Sequence, residues 1–167
     1  MLRASTKQDR ILARFRAGSI PELEVSVTAA CSLACADCGF FVPRQPAPWD
    51  GDPRRAFGDA LACLGRAAVE IESLAVLGGE ATLAPGLLAD VLQVARRAEF
   101  VARVELVTNG LTPKGLPLAA LASIDRLSLS DYTDDDALGE AWRSWLARHT
   151  PQVEFVVRRH SQWDAVN

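Results

Sequence analysis

Three of the four cysteines fall within eight residues, as Cys31-Ser-Leu-Ala-Cys35-Ala-Asp-Cys38; the fourth, Cys63, stands alone. Clustered thiols in a chain expected to be cytosolic point to metal or redox chemistry, since a disulfide scaffold would spread more cysteines along a shorter chain. Three thiolates at this spacing suit three irons of a [4Fe–4S] cluster, which normally takes four cysteines. One iron would then keep an open position, the place where a metal accepts a ligand. A zinc tetrahedron completed by Cys63 or a histidine is a competing reading. A thioredoxin-like use of Cys35 and Cys38 is weaker, because that motif opens a helix and Pro43, Pro46 and Pro48 follow here. Cys63 falls inside an amphipathic helical pattern, where a free cysteine is expected to be a small core residue.

The chain of 167 residues is 49% hydrophobic and 23% charged, which fits one folded domain and argues against disorder. A net charge of −3 makes nucleic acid an improbable partner. No apolar run is long enough to span a membrane. The start, MLRASTKQDR, lacks the apolar stretch of a secretory signal, so the expected compartment is the cytoplasm.

The elements that must position the cysteines alternate along the chain. Glu22–Thr28 places Leu23, Val25 and Val27 on one face of a strand. Asp52-Pro53 caps a helix carrying Phe57, Leu61, Leu64 and Ala68. Ser73–Leu77 is a buried strand closed by Gly78-Gly79, and Pro85 opens a helix with Leu88, Val91, Leu92 and Ala95 inward. Arg103–Val107 is a third strand ended by Thr108-Asn109-Gly110, followed by a helical piece over 116–122. Arg126–Ser130 is a fourth strand. Asp134, Asp135 and Asp136 start a helix striped by Leu138, Trp142, Trp145 and Leu146, and Val153–Val157 is a fifth strand. Residues 7–17 read as a further helix. This alternation predicts a single α/β domain with a parallel sheet: an N-terminal helical extension over 1–21, a core over 22–157 and a tail over 158–167. In such sheets function gathers at the strand carboxyl ends, where the cysteines, Gly78-Gly79-Glu80, Thr108-Asn109 and Ser130-Asp131 all fall.

Cys31-x3-Cys35-x2-Cys38 after a first strand resembles the signature of the radical S-adenosylmethionine (SAM) enzymes. Gly78-Gly79-Glu80-Ala-Thr-Leu-Ala-Pro85 resembles the family's Gly-Gly-Glu-Pro segment, and Thr108-Asn109-Gly110 is also common there. Cys38-Gly-Phe-Phe-Val-Pro and Leu129-Ser-Asp-Tyr132 resemble a short subgroup, the 4Fe-4S cluster-binding radical SAM proteins. The resemblance implies an incomplete TIM-like β/α barrel, truncated after about five strands, holding one [4Fe–4S] cluster and SAM. Cys31, Cys35 and Cys38 would ligate the cluster. Gly78 and Gly79 would let backbone approach a ligand, and Glu80 would pair with the SAM amino group. Thr108 and Asn109 would bond SAM's polar groups, Ser128 and Ser130 would meet its ribose or methionine part, and Asp37 would lie over adenine. The reaction implied is reductive cleavage of SAM, with an electron donor such as flavodoxin or ferredoxin and an unidentified small-molecule or peptide substrate.

Asp37 stands where the family has an aromatic residue, and Ala81 replaces its proline. No sixth strand is legible after residue 157, so a partner chain completing the short barrel is a further expectation. A non-catalytic iron–sulfur or partner module is the alternative function. His149 and His160 read as surface or capping residues and Trp142 and Trp145 as packing; Arg44, Arg158 and Arg159 could bind an anionic substrate but read first as solvated, and Trp49 could cover a substrate.

Overall fold

The computed structural model describes residues 10, 13–14, 17–35, 38–39, 52–111, 116, 118–133 and 135–159. The expected N-terminal helix over 7–17 lies largely outside them, as do Asp37, Arg44, Trp49, Asp134 and His160.

The strands are β1 (Ser19–Ile20), β2 (Leu23–Ser26), β3 (Glu70–Ile71), β4 (Leu74–Leu77), β5 (Val104–Thr108), β6 (Arg126–Asp131) and β7 (Glu154–Arg159). The helices are α1 (Pro53–Arg66), α2 (Pro85–Arg97), α3 (Leu118–Leu121) and α4 (Ala137–His149). A five-stranded sheet runs β2-β4-β5-β6-β7, every neighbour parallel. The two-residue strands β1 and β3 form a separate parallel pair that the sequence pattern does not reveal. Among the described residues no helix is long and apolar enough to cross a membrane.

Local chemistry explains the helix starts. The Asp52 carboxylate accepts from the backbone N–H groups of Arg54 and Arg55 at 3.0 and 3.3 Å, and Pro53 supplies a pre-set φ at the first position. Pro85 does the same for α2, whose last turn carries Arg96 and Arg97 at the negative end of the helix dipole. Asp135 accepts from Ala137 N at 2.9 Å, so α4 starts just after the acidic run. Helix α1 stops at Arg66, and Ala68 takes a left-handed φ of 53° instead of continuing the apolar stripe.

Strand order follows chain order. Right-handed crossovers then put all the connecting helices on one face of the sheet, unlike the reversing order of a doubly wound fold. Alternation decides what each face shows. Leu74, Val76, Val104, Leu106, Leu127 and Leu129 are buried in one cluster with Leu88, Leu92, Trp142 and Leu146 of the helices. Each such leucine contributes roughly 1.5–3 kcal/mol of apolar burial. The residues between them, Glu24, Ala75, Leu77, Glu105, Val107 and Ser130, face the other way and line a cavity.

Candidate functional site

The cavity, about 250 Å³, runs from the cysteine loop down the face of the sheet opposite the described helices. Its rim is built on backbone contact. Gly79 N donates to Thr28 O and Glu80 N to Ala30 O, both at 2.7 Å, which tethers the loop leading into Cys31 to the turn after β4. A Cβ on Gly79 would sit 2.3 Å from Ala30 O, and one on Gly78 would sit 2.7 Å from Thr28 O. The two glycines are therefore demanded by the cysteine loop itself. The backbone they admit is that of Thr28 and Ala30, and both glycines also line the cavity.

Glu80 is the hub of this rim. It is 2% exposed, and its Oε1 accepts from Thr82 N at 3.0 Å, Thr82 Oγ1 at 2.7 Å and Thr108 Oγ1 at 2.7 Å. Oε2 accepts from Asn109 N at 2.7 Å. Asn109 Nδ2 in turn donates to Ser32 Oγ at 3.0 Å and lies 4.0 Å from Cys31 Sγ. The Gly-Gly-Glu, Thr-Asn-Gly and cysteine segments are thus one hydrogen-bonded unit. Thr108 and Asn109 spend most of their capacity on this protein frame: the Thr108 hydroxyl also accepts from Gly110 N, and Asn109 Oδ1 accepts from Leu111 N.

Cys31, Cys35 and Cys38 are half-buried and all line the cavity. Burial, opposed by a Leu33 N–H pointing at the sulfur and reinforced by Glu80 and Cys38, pushes the Cys31 thiol up. Burial and the neighbouring Cys31 and Cys38 push Cys35 up in the same direction. Tyr132 lies on the same wall. Burial, then the charges of the three cysteines, push its phenol to about 12 against a hydrogen bond with Ser130. Among the described residues no three His, Cys, Asp or Glu side chains converge as ligands of a single metal ion.

Cys63 is exposed on α1, which corrects its expected place in the core. At ~100° per residue it lies far around the helix from the Phe57–Leu61–Leu64 stripe. It does not line the cavity either. The histidine open to description, His149, stacks on Trp145 at 4.6 Å and its Nδ1 meets Trp145 O at 2.8 Å. Trp142 packs and donates to Gly110 O at 2.9 Å, consistent with its expected packing role.

The two serines part company. Ser130 lines the cavity, whereas Ser128 does not: it is fully buried and donates to Glu105 Oε1 at 2.6 Å. Of the floor residues, Glu105 is not singled out from the sequence, and Arg158 is offered there as an anion binder only behind the solvated reading. Glu105 is 1% exposed yet lies on the cavity wall, and its Oε1 also accepts from Arg158 Nη2 at 2.9 Å. Arg126 stands 3.7 Å from Oε2. Arg158 is therefore an organised cavity residue and not merely a solvated one, and Arg159 pairs with Asp136. The available signal was a glutamate inside the apolar strand Val104–Thr108; a charge there demands partners.

No family model matches this chain, and no curated protein matches it.

Proposed function

We propose that this chain is a radical SAM enzyme on an incomplete β/α barrel, holding a [4Fe–4S] cluster on Cys31, Cys35 and Cys38. The observation that carries the reading is the convergence of three separate segments on one cavity. Asn109 lies against the cysteine loop from 78 residues away, and Thr108 bonds Glu80 from 28 residues away. The donor set suits the group: three thiols share one cavity wall, and no fourth cysteine lines it.

Held on Cys31, Cys35 and Cys38, the cluster would supply a binding position for SAM and the electron for its reductive cleavage to methionine and a 5′-deoxyadenosyl radical. The chain's own residues do the positioning. Leu33 N–H points at Cys31 Sγ and partly offsets the burial that raises this thiol, while Asn109 Nδ2 lies beside the same sulfur. Glu80 braces the rim. Because Oε2 takes one protein donor while Oε1 takes three, Oε2 retains room for one N–H of an ammonium ligand. Ser130 and Tyr132 also line the cavity, and the sheet gap between β2 and β7 is where a partner chain would close the barrel.

The test is anaerobic reconstitution with iron and sulfide, followed by SAM with dithionite or a reduced flavodoxin or ferredoxin. The expected result is brown iron–sulfur absorbance and 5′-deoxyadenosine. Absorbance without that product would reduce the chain to a cluster-binding module. Replacing Cys31, Cys35 and Cys38 together by alanine should abolish both, and a retained cluster would refute the ligand assignment.

A further inference from the structure

Below the rim the cavity carries charge that the rim chemistry does not use. Glu105 lies three residues before Thr108 on β5, which is roughly 10 Å down the strand. A carboxylate 1% exposed is costly to bury, and aliphatic residues would hold this sheet as well or better. Here it is kept, with Ser128 and Arg158 both donating to Oε1. The effect falls on Arg158. One Nη2–H is fixed on Glu105, the side chain remains 46% exposed on the cavity wall, and the rest of its planar fork has no partner among the described residues. A guanidinium immobilised in this way is preorganised to grip an oxyanion.

The facing wall has the opposite sign. Glu24 sits in the same row of the sheet as Glu105, two strands away, with Ala75 between them. Glu24 is exposed, lines the cavity, and forms no ion pair among the described residues. Glu22, two residues earlier on the same wall, adds a second carboxylate. The small Ala75 leaves the space between the two charged walls open. A simple anion drawn to Arg158 would meet Glu22 and Glu24, and a simple cation drawn to those glutamates would meet Arg158. A molecule bearing both signs satisfies both walls.

We propose that the cavity floor is a second ligand subsite for a small zwitterion of the amino-acid class, its carboxylate on Arg158 and its ammonium toward Glu24. That this ligand is the hydrogen-donating substrate rests on the function proposed above; that it binds does not.

The test is anaerobic equilibrium dialysis of the reconstituted full chain with SAM. The outer solution holds an equimolar series of ω-amino acids from glycine to aminohexanoate, with succinate and putrescine as single-sign controls, and both sides are read by mass spectrometry. One or two neighbouring chain lengths should be enriched with the protein, and neither control. Arg158→Gln and Glu24→Gln should each weaken that enrichment at least tenfold. Glu24 is exposed on an edge strand, so its variant reports binding even where Arg158→Gln disturbs folding. Enrichment unchanged in Glu24→Gln, preference for succinate or putrescine, or no enriched amino acid at all would overturn the inference. Loss of SAM from the unaltered chain in the same cells would instead count against the proposed function, while the amino-acid ratios still decide this subsite.

Discussion

The rim and the floor of the cavity are organised on different principles. The rim is made of contiguous segments stitched by backbone: glycines admit the cysteine loop to contact distance, and one carboxylate gathers four donors. The floor is made of single side chains, one each from β2, β5 and β7, joined through charge. Backbone contact tolerates no added atom, whereas side-chain ion pairs can rearrange or turn to water. The rim should therefore be brittle and the floor adjustable.

The largest effect expected is at Glu80. Glu80→Ala strands buried hydroxyl and amide donors and should cost about 3–5 kcal/mol in a denaturant titration. Glu80→Gln, which keeps most acceptors, should recover much of that loss. Equal losses in the two variants would mean the carboxylate is not the hub. Gly79→Ala comes next at about 1–3 kcal/mol, the usual range for overpacking. Hydrogen exchange should localise the damage to residues 28–35, leaving β7 protected. Glu105→Ala should show the reverse: faster exchange over 154–159, an undisturbed cysteine loop, and a cost of only about 1–2 kcal/mol because the half-exposed Arg158 can find water. If its damage spread to the rim, the two regions would not be separable.

Two smaller effects sharpen the contrast. Under brief iodoacetamide treatment of the cluster-free chain, Cys63 should alkylate before Cys31 and Cys35, which are half-buried with raised thiol pKa values; peptide mass spectrometry reads the order. Outside the cavity, hydrogen bonds from Arg126 hold Glu154 below the ordinary carboxylate value of about 4.3. That pair's contribution is complete above the ordinary value and fades as pH falls through the lowered one. Glu154→Gln should thus shift only the acid-unfolding midpoint, and slightly, since the group is exposed.

Much of the fold could be read directly. Alternation in Leu23–Val27 and the short apolar runs of Leu74–Leu77, Val104–Thr108 and Arg126–Ser130 mark half-buried or buried strands, and Asp52-Pro53 and Pro85 mark helix starts. These signals are local, so a linear reading reaches them. The β1–β3 pair escaped because two residues carry no period. The end of α1 escaped because Ala68 has no intrinsic signal for a left-handed φ. At the rim the motifs were legible as types, but their contacts with one another were not: Gly78 and Gly79 accommodate Thr28 and Ala30, and Glu80 gathers Thr82, Thr108 and Asn109.

By itself the amino-acid order determined that three thiols follow a first strand and that strands and helices alternate in parallel, because both are properties of neighbours along the chain. Only the tertiary structure decided that Glu105, Ser128 and Arg158 meet, that Ser128 is withheld from the cavity, and that Cys63 faces away from it. Those outcomes depend on strand register and helix rotation, which are set by which faces can pack together, and no single segment contains that information.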